Sequence, residues 1–140
     1  MVKQKKTNIL DESYPSDLGN RKDIIDSICT QIAADNIAMA ITTEELYLSL
    51  DEAITNAMEH GNRWNNNKRI HVTISVDSNE IVIAISDEGN GFDTKDIEAS
   101  LRKRDLLSTR GRGIYIINQF CKISWNDRGN QINLRIPRRK

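Results

Sequence analysis

The run Ile81-Val-Ile-Ala-Ile85 is apolar on both parities and passes through Ser86 into Asp87-Glu-Gly-Asn-Gly91. A strand without a polar face belongs in the middle of a sheet, so this segment predicts a central strand that opens into a glycine-rich loop. Ile70, Val72, Ile74 and Val76 alternate with His71, Thr73 and Ser75 as a half-buried neighbour would, and Asp77 to Asn79 predicts the hairpin turn between the two. Two short strands, about Ile123 to Trp125 and Ile132 to Ile136, close the chain across an Asp-Arg-Gly-Asn turn.

Elsewhere the apolar period is helical. Leu18, Ile24, Ile25, Ile28, Cys29 and Ile32 predict a first helix from Asp17 to about Ala34. Thr42 followed by Glu45 is a capping-box pattern, and Leu46, Leu50, Ala53, Ile54 and Ala57 carry a second helix to about His60. Gly113 to Phe120 predicts a short third helix. Helices combined with hairpin strands give an α+β class, and 140 residues fit one domain spanning 1–140 with no internal linker or repeat.

Composition removes several functions. Twenty basic and twenty acidic residues cancel, so no overall positive field draws the chain to nucleic acid or to an anionic membrane. The apolar runs are far shorter than a bilayer span, and Lys3, Lys5 and Lys6 precede no signal-peptide core, so a cytoplasmic protein is expected. Cys29 and Cys121 have neither metal-ligand spacing nor a nearby histidine and read as reduced thiols. The charge is uneven along the chain. Residues 1–40 carry five basic and six acidic side chains, residues 41–100 four and twelve, and residues 101–140 eleven and two. Solvated faces explain such a split; so does an acidic half and a basic half meeting around a metal and a phosphate chain.

On the second helix, Glu52 and Asn56 lie one turn apart on a ridge away from the apolar stripe, with Glu59 nearby and His60 at the border. This is either an ordinary polar face or an oxygen ligand for Mg²⁺ at Asn56 beside a general base at Glu52. Asp87 to Gly91 is either a tight turn or a base-reading loop. In the second case the Asp87 carboxylate accepts from an exocyclic amine, and Gly89 and Gly91 let a flat ring approach the backbone. Gly111-Arg-Gly113, placed just before the predicted third helix, presents free N–H groups suited to phosphate, although an isolated Gly-x-Gly is a weak signal.

The three segments in order, Asp51-Glu-Ala-Ile-Thr-Asn-Ala-Met-Glu-His-Gly-Asn62, Asp87-x-Gly-x-Gly91-Phe92 and Gly111-Arg-Gly-Ile-Tyr-Ile-Ile117, resemble the three ATP-binding boxes of the GHKL ATPase superfamily. The form Glu-Ala-x-Thr-Asn-Ala-x-x-His-Gly and the small size are similar to the anti-sigma factor serine kinases of bacterial partner-switching systems. The resemblance covers about residues 8–137. It implies a Bergerat fold, a two-layer sandwich whose mixed, mainly antiparallel sheet carries helices on one face, with ATP between the second helix and the glycine loops. By position it makes Asn56 the Mg²⁺ ligand, Glu52 the base and Asp87 the adenine reader. Gly89 and Gly91 would shape the base pocket, with His60 and Phe92 in the same boxes. Gly111 and Gly113 would form the phosphate end of a lid, and either Arg110 or Arg112 would meet the γ-phosphate, within a basic stretch that includes Arg102, Lys103 and Arg104.

The resemblance further implies a protein serine kinase that binds a sigma factor, phosphorylates a STAS-domain anti-anti-sigma protein and forms a homodimer through an N-terminal strand and the first helix. Only 51 residues precede Glu52 and none is a histidine, so a free-standing kinase module is expected, not a complete histidine kinase. Arg21 and Lys22 fall where relatives contact their partners, or form a solvated helix start. Gly129-Asn-Gln131 departs from the Gly-Thr usual in the final hairpin. A nucleotide-gated binding protein without useful transfer, and a switch module for a partner other than a sigma factor, fit the same residues.

Overall fold

The structure, a computed structural model, describes residues 5–91 and 109–139. Five strands, β1 (Thr7–Pro15), β2 (Arg69–Val76), β3 (Glu80–Ser86), β4 (Lys122–Trp125) and β5 (Gln131–Pro137), form one sheet in the order β1-β2-β3-β5-β4. Every pairing among them is antiparallel, in keeping with the mainly antiparallel sheet expected. The register aligns one parity of each strand: Ile74 faces Ile83, which faces Leu134, and Val72 faces Ile85, which faces Ile132. These side chains are buried beneath the helices, and burying an isoleucine fully is worth about 1.5–3 kcal/mol.

On the other face, Val82 and Ala84 are half-buried, flanked by the cross-strand pairs Ser75/Arg135 and Thr73/Asn133. At the β2–β3 turn the Asp77 carboxylate accepts from the N–H groups of Asn79 and Glu80, and these bonds with Lys6 hold its pKa down at about 2.

Among the described residues, three helices cover the sheet: α1 (Arg21–Ala34), α2 (Thr43–Asn56) and α3 (Thr109–Asn118). Helix α1 starts later than expected, because Asp17 caps a 3-10 turn, Leu18–Asn20, by accepting from the Gly19 N–H at 3.0 Å. Leu18 stays exposed there and does not join the core. The capping box of α2 forms in full, with Glu45 N–H to Thr42 Oγ1 at 3.1 Å and Thr42 N–H to Glu45 Oε1 at 2.8 Å. Helix α2 packs against both α1 and α3.

The predicted continuation of α2 to His60 takes a different form. From Ala57 to Gly61 the turn widens into a π-helix, closed by the Asn62 N–H to the Ala57 carbonyl at 2.8 Å. Arg63 and Trp64 then adopt positive φ, at 53° and 59°, and turn the chain back toward β2. Asn62, fully buried, anchors this bend. Its Nδ2 donates to the Arg69 carbonyl at 3.0 Å and its Oδ1 accepts from the Glu88 N–H at 2.8 Å. One carboxamide thus joins the end of α2 to the start of β2 and to the loop after β3. Asn62→Ala is expected to lower stability by about 2–3 kcal/mol, since two backbone groups lose their partner. A fall in the urea midpoint with an unchanged slope would bear this out; an unaltered midpoint would refute it.

Candidate functional site

The site lies where the end of β3 meets α2. Asp87 leaves β3 with its N–H bonded to the Asn130 carbonyl at 2.9 Å, and its Oδ1 accepts from the Gly89 N–H at 2.8 Å. Its carboxyl group occupies the space beside Gly61, where a Cβ on Gly61 would stand 2.1 Å from Asp87 Cγ. Gly89 approaches as closely, since a Cβ there would come within 2.2 Å of the Gly61 carbonyl oxygen. Gly91 has φ +80° and packs on the Arg128 carbonyl, so this loop also rests on the β4–β5 turn.

That turn is built by one side chain. Asn126 Oδ1 accepts from the N–H groups of Gly129, Asn130 and Gln131 at 2.8, 3.1 and 3.2 Å. Gln131 sits in the departure from Gly-Thr and accepts from Ser86 Oγ at 2.9 Å. Between the turn, α2 and α3 is a recess with Asn56, Asp87 and Gln131 as polar groups and Ile85, Ile114 and Trp125 as apolar walls. An apolar slot with one carboxylate at its end is suited to a flat, amine-bearing ring.

Asn56 lines the recess from α2, and Glu52 lies one helical turn before it. Asn56 is buried at 8% exposure, and its Nδ2 has no hydrogen-bond partner among the described residues. A buried amide without a partner carries a desolvation cost that a ligand removes, and with the amide turned over its oxygen suits Mg²⁺. Burial raises the pKa of the Glu52 carboxyl, and neighbouring Asp51 raises it further, while Arg112 and Arg21 oppose the shift. A carboxyl raised in this way is a better proton acceptor than an ordinary glutamate.

The glycines of the third segment occupy another setting than expected. Helix α3 already includes Thr109, so Gly111 and Gly113 lie within the helix and not ahead of it. Gly113 lets α3 lie directly on α2, since a Cβ there would stand 2.8 Å from Glu52 Oε2 and 2.9 Å from Asn56 Nδ2. Gly111 is buried and Arg112 is exposed on the same helix. His60 does not line the recess; its Nε2 lies 3.0 Å from Glu59 Oε2. Phe92 and the basic stretch at 102–104 lie outside the described residues, as does the Arg110 side chain. Gly61, Asn62 and Asn126 were not singled out from sequence. The string His60-Gly-Asn62 carried the signal for two of them, while Asn126 has none that distinguishes it from any turn asparagine.

The model of the histidine kinase-like ATPase domain matches residues 15–136, and so takes in every element from the end of β1 to β5. The chain belongs to this family. Membership implies that the domain binds ATP. Among curated relatives, the serine-protein kinase RsbW of Bacillus licheniformis is 31% identical over 81 residues, which is 53% of this chain and 50% of the relative. The serine-protein kinase RsbW of Staphylococcus aureus strain JH9 is 30% identical over 84 residues, 55% of this chain and 53% of the relative. The chain thus spans about half the length of the curated relatives it matches. No helix among the described residues is long and apolar enough to cross a membrane.

Two outcomes follow from this ATPase-domain site. Gly61→Ala is expected to displace Asp87 and weaken adenine-nucleotide binding at least tenfold, since losing one buried directional contact costs about 1.4 kcal/mol or more. Calorimetric titration with ATP reads it, and unchanged affinity would refute the close-approach argument. Because the Glu52 pKa is raised in the fold, the ionised side chain destabilises the protein above that pKa, and the penalty vanishes below the unfolded-state value. Glu52→Gln should therefore raise the melting temperature at pH 8 and confer less advantage at pH 4. A difference that is constant across this range would contradict the assignment.

Proposed function

We propose that this chain is an ATP-dependent protein serine kinase that acts as an anti-sigma factor, holding a sigma factor and phosphorylating a STAS-type anti-anti-sigma protein. The reading includes a homodimer through β1 and α1, a cytoplasmic location and Mg²⁺ as the working metal. It is carried by one observation: a carboxyl with raised pKa, Glu52, stands one helical turn from buried Asn56, whose Nδ2 has no partner among the described residues and which lines a recess that also holds Asp87. Two relatives named serine-protein kinase, matched over about half their length, support the choice of reaction.

In this reading Asp87 accepts a hydrogen bond from the adenine amine and fixes the base, while Gly61 and Gly89 keep side chains out of its approach. Asn56 holds Mg²⁺, which when bound neutralises charge on the phosphate oxygens. Glu52 takes the proton from a serine hydroxyl of the bound partner. The serine oxygen then bonds to the γ-phosphorus as the bond to the β-phosphate oxygen breaks, leaving ADP. Arg112, exposed beside Glu52, supplies positive charge near the transferred group. No dedicated redox or covalent chemistry is required of the protein.

Incubation with labelled ATP and Mg²⁺, with and without a candidate STAS-domain protein, tests this. Label is expected on a partner serine, with transfer reduced by roughly 10²–10⁴ in Glu52→Ala while ATP affinity persists. ATP binding without transfer to any candidate would replace the kinase with a nucleotide-gated stoichiometric binder. Transfer should also fall on acidification at a pH above the ordinary carboxylate range, because Glu52 must be ionised to accept the proton.

A further inference from the structure

Arg21, at the first position of α1, was expected at a partner-facing or solvated helix start. Its guanidinium instead turns onto α2. Nε stands 2.9 Å from Asp51 Oδ1, and Nη1 donates to Thr55 Oγ1 at 3.0 Å. Lys22, its neighbour, points elsewhere and pairs with Asp26 on its own helix. Asp51 and Thr55 are four residues apart, so one planar group spans a full turn of α2. The adjacent ridge of that turn carries Glu52 and Asn56.

We propose that Arg21 is a positioning residue for Glu52, clamping the α2 turn that bears the base and neutralising the acid beside it. The inference rests on the kinase reading for its consequence in catalysis, though not for its geometry. Two carboxylates in sequence on one helix repel each other when both are ionised, and the nearer cation decides which of them a proton or metal prefers. Arg21 lies against Asp51 and so offsets the charge of the acid next to Glu52. On its other flank, α3 lies against Glu52 through Gly113 and brings Arg112. The charged groups acting on the base are therefore Asp51 on its own helix, Arg21 from α1 and Arg112 from α3. The arrangement also links the start of α1, a surface that a partner protein can reach, to the site through a single side chain. Asp51 and Arg21 keep side-chain exposures of 33% and 36%, so the pair is accessible to competition from an incoming acidic group.

The test compares wild type, Arg21→Ala, Arg21→Lys and the double variant Arg21→Ala/Asp51→Asn. Carbon-13 NMR of the Glu52 carboxyl, without nucleotide or partner, reads the coupling; phosphotransfer kinetics read its consequence. Arg21→Ala is expected to move the Glu52 midpoint upward and, by releasing the α2 turn that aims the base, to lower kcat roughly tenfold, with KM for ATP unchanged. Arg21→Lys should recover part of both, and the added Asp51→Asn should restore the midpoint because the uncompensated charge is gone. A Glu52 midpoint unchanged in Arg21→Ala, or one that Asp51→Asn does not restore, would overturn the proposal. So would a loss confined to KM for the protein partner, which would make Arg21 a docking contact. Should the midpoints behave as expected while wild type transfers no phosphate, the kinase reading fails and the clamp stands. Circular dichroism melts of each variant separate these outcomes from misfolding.

Discussion

The approach of two backbone segments to less than side-chain distance underlies the whole site. Gly61 at the end of α2 and Gly89 after β3 meet with the Asp87 carboxyl between them, and neither position has room for a methyl group. Helix and sheet can then be joined by the carboxamide hydrogen bonds of Asn62, while the Asn130 carbonyl ties Asp87 to the β4–β5 turn. The π-turn from Ala57 to Gly61 is the local adjustment that brings Gly61 into place.

Those elements differ in how well the sequence announces them. Helix α2 and strands β2 and β3 were legible because burial on one face leaves a periodic trace, and the capping box at Thr42 fixed where α2 begins. Strand β1 left almost none. It is an edge strand, mostly exposed, and its sequence Thr-Asn-Ile-Leu-Asp-Glu-Ser-Tyr-Pro alternates too weakly to be read without a resemblance. The π-turn was not legible either, since its cause lies in a long-range contact with Asp87 and not in local propensity. Within the site, Glu52, Asn56 and Asp87 were legible as chemical types at motif spacing. Gly113 was legible as a glycine but not for its reason, which is the packing of α3 on α2 and which places it inside a helix.

The setting of Glu52 opposes stability to reactivity. Burial and an adjacent acid make its carboxyl hold a proton more tightly than an exposed glutamate, which is useful in a proton acceptor and unfavourable in a folded chain at neutral pH. The surrounding cations moderate this from two helices that the sequence places far apart. The uneven distribution of charge along the chain thereby acquires a spatial sense: Arg112, from the basic C-terminal part, offsets acids of the middle part at one point, on α2.

The β4–β5 turn has a consequence for how this surface tolerates change. Its shape depends on the side chain of Asn126 and on backbone atoms of residues 128–131, while Asp127 and Arg128 project outward from it. Gly91 rests on the Arg128 carbonyl, a group that every amino acid possesses. The tip can therefore drift in sequence, changing charge and size at 127 and 128, without disturbing the wall of the recess. Paralogues diverging for separate partners would be free to vary this rim while their nucleotide chemistry stays the same.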